Sequence, residues 1–395
     1  MTPTSRRVAI AVSASFLLWG GWVVGRTEHH AFGDLSRGLF TDHFSHMNAA
    51  RAFSRVGVDI WRQSINELFR PLTRDELARL PEDVRSVAGS DLRYVPGWPD
   101  DKPLAASWSH NPRLYPPGDM LLVAPIALAY HFTPLTFAGA SRLLILLFLL
   151  YAHVSLYFVL MAVAKDGPDR FAFLAAFVMY AELVHWALEG FYDVVVIAPL
   201  MLCALYLKER RALAAVVAFC AAAAIHFRAL FFAPWVLWAV FLAISQRSWR
   251  TWRRRDWVAA VLGAALAVAA LYPLCLLLPT LRSLPVNNKI AVAALPASAG
   301  MMLALIAIAI VVAGALAWAR AWLDLALLGW FMLMLLQLHE AYPWHMVVLL
   351  PFLLTPSAGP RASVARDARA VFFLAASVIV FNNTTVPFWL AKVFG

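Results

Sequence analysis

The chain has 395 residues, of which 62% are hydrophobic and only 14% charged, and its mean hydropathy is +0.70. A globular soluble domain carries about a quarter charged residues and cannot hide this much apolar surface, so lipid is expected to be the main solvent. The net charge of +10 comes from short basic clusters between apolar runs, not from a basic face interleaved with aromatics, which speaks against a nucleic-acid partner. Cys203, Cys220 and Cys275 all lie inside apolar runs and read as small packing residues.

In chain order, Arg6-Arg7 and the apolar run to Val24 fit an uncleaved first span better than a signal peptide, because the rest of the chain is also polytopic. Candidate spans cover 8–25, 138–164, 171–188, 191–207, 212–226, 229–245, 256–279, 299–318, 321–338, 342–356 and 370–388. These eleven spans place Arg6/Arg7, Lys165/Arg170, Lys208/Arg210/Arg211, Arg247 to Arg255, Arg320 and Arg361/Arg366/Arg369 on the cytoplasmic side. The amino terminus is then inside and the carboxyl terminus outside, provided that 119–133 (DMLLVAPIALAYHFT) is an interfacial or re-entrant helix that does not cross. The fold class read here is an all-α polytopic membrane protein forming one membrane domain.

Residues 26–118 break the apolar pattern, with twelve acidic and twelve basic residues. Stretches such as INELFRPLTRDELARLPEDV read as amphipathic surface helices of a large outer loop, or cap. A second outer loop spans 280–298. The Arg- and Ala-rich usage points to a bacterium, and so to its plasma (inner) membrane.

One outer face collects the unusual polar residues. They are Asp42, His43 and His46; Tyr115 to Gly118; Glu189 and Asp193; His226 and Arg228; Lys289; and His339, Glu340, Tyr342 and His345. Ionisable groups that interrupt or end apolar spans are costly and are by default functional, whereas snorkelling ends would scatter over both faces. Asp42 is either a helix N-cap or a carboxylate presented at the membrane surface. His43 and His46, at i and i+3, are weak candidates for a divalent metal, whose presence the sequence leaves open. The guanidinium of Arg228 suits an anionic group such as phosphate.

This order of features resembles that of C-type-fold membrane glycosyltransferases, which use polyprenyl-phosphate-linked sugars. The features that carry the resemblance are Asp42 after the first span, Tyr115-Pro116-Pro117-Gly118 closing the loop, Gly190 to Asp193 (GFYD) opening a later span, and His339 to Tyr342 (HEAY) near the carboxyl-terminal spans. Many relatives carry an Asp-Glu pair where this chain has Asp42-His43. The resemblance implies a polyprenyl-phosphate sugar donor and a lipid, glycan or protein acceptor.

The chemistry agrees with it. A lipid phosphate is already a good leaving group, so one carboxylate suffices to take the proton of the attacking hydroxyl, and cationic donors steady the departing phosphate. Asp42 is the expected base. Arg228, Lys289, His339 and His345 are the expected phosphate ligands, and Asp193, Glu189, Tyr115, Glu340 and Tyr342 line the substrate site. Such a single displacement inverts the anomeric centre. A transporter, or a lipid-linked glycan flippase or ligase, is the alternative; a transporter usually carries internal repeats, and none is visible here.

Overall fold

The computed structural model describes residues 39–88, 92–94, 104–105, 113, 115–164, 180–188, 190, 192–209, 211–233, 236–237, 253–283, 299–337 and 361–380, together with Ile10, Ala14 and Leu18. The described part is mostly helical.

In the segment read as a cap, the first described element is helix α1 (Leu39–Val56), which runs into a 3-10 turn at Gly57–Trp61. The stretch read as amphipathic surface helices forms three short ones: α2 (Ile65–Leu68), α3 (Arg74–Ala78) and α4 (Glu82–Ala88). Pro71 and Pro81 stop a longer helix, and Ser64 and Thr73 restart it with reciprocal capping boxes to Glu67 and Glu76. Arg70 grips Glu76 with both guanidinium nitrogens (2.9 and 2.6 Å) and, with the Thr73 amide and hydroxyl, holds this exposed carboxyl down at about 2. Between the helices, β1 (Arg70–Pro71) pairs antiparallel with β2 (Leu92–Tyr94), which pairs with β3 (Leu104–Ala105). The 26–118 segment thus contains a small sheet that an all-α reading does not anticipate.

The apolar part follows as α5 (Gly118–Phe132), α6 (Phe137–Ala164), a helical segment over 180–188, α7 (Val194–Lys208) and α8 (Ala212–Ile225). After a 3-10 helix at Phe227–Phe232 come α9 (Arg254–Ser283), α10 (Ala299–Trp318), α11 (Trp322–Gln337) and α12 (Ala362–Val380). Two stretches, Phe137–Ala162 and Arg254–Pro279, are 26 residues each and long and apolar enough to cross a membrane. The 14 or 15 residues of α5, α7 and α8 reach only about 21–23 Å at 1.5 Å per residue.

Most expected span boundaries fall within a few residues of these helices, with two differences. The segment read as a span over 229–245 opens as a 3-10 helix, and the last helix starts at Ala362 instead of 370. That earlier start takes Arg369 into the protein. It is 1% exposed and pairs with Asp324 of α11 at 3.5 Å, so it joins two helices. The expected first span apart from Ile10, Ala14 and Leu18, residues 171–179, the span at 342–356 and most of the 280–298 loop lie outside the described residues.

Helices α6, α7, α8 and α9 pack in sequence order, α10 packs on α11 and α12, and α1 lies along α5. Helix α7 is buried on nearly every side, from Val194 to Leu207, which makes it the centre of this layer. Helix α9 is different: Val258, Val261, Leu262, Val268 and Leu271 are all exposed. The helix read as interfacial, α5, buries Met120, Val123, Ala127 and Tyr130 but also exposes Leu121, Leu128 and Phe132, so it has no polar face.

Candidate functional site

The site forms where α1 meets the Tyr-Pro-Pro-Gly turn, the turn before α7 and the end of α8. Each approach has a local cause. Pro117 precedes α5 at a position where its missing N–H costs nothing, and the Trp61 indole donates to the Tyr115 carbonyl at 2.9 Å. Gly118 then touches the end of α8 so closely that a Cβ there would lie 2.4 Å from the Ala224 carbonyl oxygen. Gly190 turns with φ +84°, and its carbonyl accepts a 3.0 Å hydrogen bond from His43 Nε2. A Cβ on Gly190 would sit 2.7 Å from that same nitrogen.

These contacts assemble a buried polar and aromatic cluster. His46 donates from Nδ1 to Asp119 Oδ2 at 2.9 Å, and Arg113 forms a buried ion pair with the same oxygen. The His46 ring stacks on Tyr192 at 4.3 Å, while Tyr115 meets His46, Tyr192 and His226 edge-on at 4.6, 5.6 and 5.1 Å. His226 Nε2 lies 3.3 Å from Asp193 Oδ1. Asp119 is fully buried; its Oδ1, His46 Nε2 and the Tyr192 hydroxyl have no hydrogen-bond partner among the described residues.

Of the residues singled out in the sequence, His43, His46, Tyr115, Asp193 and His226 therefore meet in one place. The backbone of Asp42 lies in α1 one turn before His46, and that of Arg228 two residues beyond His226, but both side chains lie outside the described residues. So do Glu189, Lys289, His339, Glu340, Tyr342 and His345. His43 and His46 take separate partners, Gly190 and Asp119, and no metal-holding group of three or more His, Cys, Asp or Glu side chains occurs among the described residues.

Asp119 and Arg113 have no site role in the sequence reading, and Tyr192 enters it only within GFYD. An acid in the first turn of an apolar helix looks like ordinary complement to the helix dipole. The signal that could have found it is a lone carboxylate opening an apolar run directly after Tyr-Pro-Pro-Gly.

The two glycines give a ranked prediction. Gly118→Ala is expected to destabilise more than Gly190→Ala, because the first clash, at 2.4 Å, is with backbone and the second, at 2.7 Å, with the tip of a side chain, even though Gly190 adds left-handed strain of about 1–3 kcal/mol. Thermal unfolding of the purified protein in detergent ranks them, and a smaller loss at Gly118 contradicts the packing described.

A second prediction concerns pH. Burial pushes the His43 imidazole from 6.5 down to about 4; the bond to Gly190 opposes this and nearby His46 reinforces it. Between those values the unfolded chain binds more protons than the folded one. The stabilisation, up to about 3 kcal/mol, is whole above 6.5 and is lost as pH falls toward 4. His43→Gln should flatten the stability–pH curve over that interval, and an unchanged slope would remove His43 as its source.

No family model matches the chain, and neither does any curated protein or solved structure.

Proposed function

We propose that the protein is a glycosyltransferase that moves a sugar from a polyprenyl phosphate to a lipid, glycan or protein acceptor at the outer face of a bacterial plasma membrane. On this reading the chain is a multi-pass protein of the C-type fold, with about eleven spans, its amino terminus cytoplasmic and residues 26–118 roofing the active site. Asp42 takes the proton of the acceptor hydroxyl as its oxygen attacks the anomeric carbon. The carbon–oxygen bond to phosphate breaks, and polyprenyl phosphate leaves with the electron pair. Arg228, Lys289, His339 and His345 steady that phosphate.

The observation that carries the reading is convergence. Residues 42–46, 115–118, 190–193 and 226–228 belong to four separate segments, yet the described side chains among them share one cluster, with Tyr115 touching both His46 and His226. Helix α9 supports the membrane setting, since its exposed Val and Leu side chains suit lipid and not water. The test is to reconstitute the purified protein in liposomes with radiolabelled polyprenyl-phosphate sugar and a bacterial lipid extract. Label in a new product supports transfer, whereas label that crosses the bilayer unchanged supports the transporter.

A further inference from the structure

We infer that His46, Asp119 and Tyr192 form a subsite for the hydroxyl groups of a glycosyl residue and not for its phosphate. This subsite deepens, and rests on, the glycosyl-transfer reading. Three buried polar atoms within one cluster lack a hydrogen-bond partner among the described residues: His46 Nε2, Asp119 Oδ1 and the Tyr192 hydroxyl. Buried polar atoms are costly to leave unpaired, so such a set calls for a ligand. Their chemistry says which one. His46 turns Nδ1 to Asp119, which leaves Nε2, a ring nitrogen able to accept or to donate, for the ligand. Asp119 Oδ1 is an acceptor, and the Tyr192 hydroxyl both donates and accepts.

Sugar hydroxyls can serve all three atoms. A phosphate cannot, since it offers only acceptors and would face the Asp119 carboxylate. The Arg113 guanidinium, which pairs with Asp119, is already neutralised by that carboxylate. The aromatic packing of His46 on Tyr192, with Tyr115 edge-on to both, fixes the first and third atoms relative to one another.

The probes are hexyl glycosides at sub-micellar concentration, which carry a sugar without phosphate, and farnesyl phosphate, which carries phosphate without sugar. Both are titrated calorimetrically into the full-length protein in a sugar-free detergent. Wild type binds a hexyl glycoside. Tyr192→Phe, which removes one oxygen and leaves the packing intact, weakens that binding about fivefold, and Asp119→Asn weakens it tenfold or more. Tyr192→Phe, which leaves the Arg113–Asp119 pair whole, binds farnesyl phosphate within twofold of wild type.

A purely structural role for Tyr192 would leave glycoside binding unchanged on loss of the unpaired hydroxyl. That result overturns the subsite, as does equal loss of farnesyl phosphate binding or a wild type that binds no glycoside. Glycoside binding that depends on Tyr192 without any sugar transfer would leave the subsite standing and remove the transferase reading. Where transfer is measured, the KM that rises in Tyr192→Phe assigns the glycosyl residue to donor or to acceptor, and no rise in either counts against the subsite.

Discussion

Asp42→Asn should lower sugar transfer by about 10²–10⁴-fold while donor binding stays within a factor of two, because the variant keeps shape and loses the proton acceptor. The position supports this role: the Asp42 backbone lies in α1, one turn before His46 and next to His43, whose ring is tied to Gly190. Initial rates at saturating donor, with farnesyl phosphate titration as the binding control, separate the two quantities. Transfer at the wild-type rate would remove Asp42 as the base. A matching loss of donor binding would reassign it to positioning.

The largest stability effect is expected at Asp119. Replacing it with Ala leaves the buried Arg113 guanidinium without its counter-charge and strips His46 of its partner, at about 3–5 kcal/mol. Asp119→Asn keeps the shape and one acceptor for His46 and should cost less. The double variant Arg113→Met/Asp119→Leu should recover much of the loss, since removing both charges leaves neither uncompensated. Inactivation half-lives at fixed temperature in detergent measure the cycle. Strictly additive losses would contradict a direct coupling between the two side chains.

Much of the helical layer is legible from composition. The hydropathy of α6 and α9 is continuous enough to place them within a few residues, and Tyr-Pro-Pro-Gly marks the start of α5 because prolines suit a helix entrance and Gly118 permits the close approach to Ala224. The interior of the cap is less legible. INELFRPLTRDELARLPEDV has helical periodicity throughout, but Pro71 and Pro81 with two capping boxes cut it into helices of one or two turns, and the pairing of Arg70 with Tyr94 depends on residues far along the chain.

The same holds for charge partners. Arg369 looks like one more member of an exposed basic cluster in sequence because nothing nearby announces Asp324, 45 positions earlier (369 − 324). His43 and His46 share a helix face, which suggests a common ligand, yet tertiary contacts send one to a backbone carbonyl and the other to a carboxylate. Helical spacing fixes which side chains are neighbours; it does not fix what they meet.

The most direct measurement of the central claim is the anomeric configuration of the product. Purified wild-type protein is given a polyprenyl-phosphate sugar of known anomer with an acceptor extract, and the product is analysed by proton NMR through the coupling at the anomeric carbon. A single displacement assisted by Asp42 predicts a new glycoside of the opposite anomeric configuration. A product that retains the donor's configuration, or no glycoside at all, would contradict it.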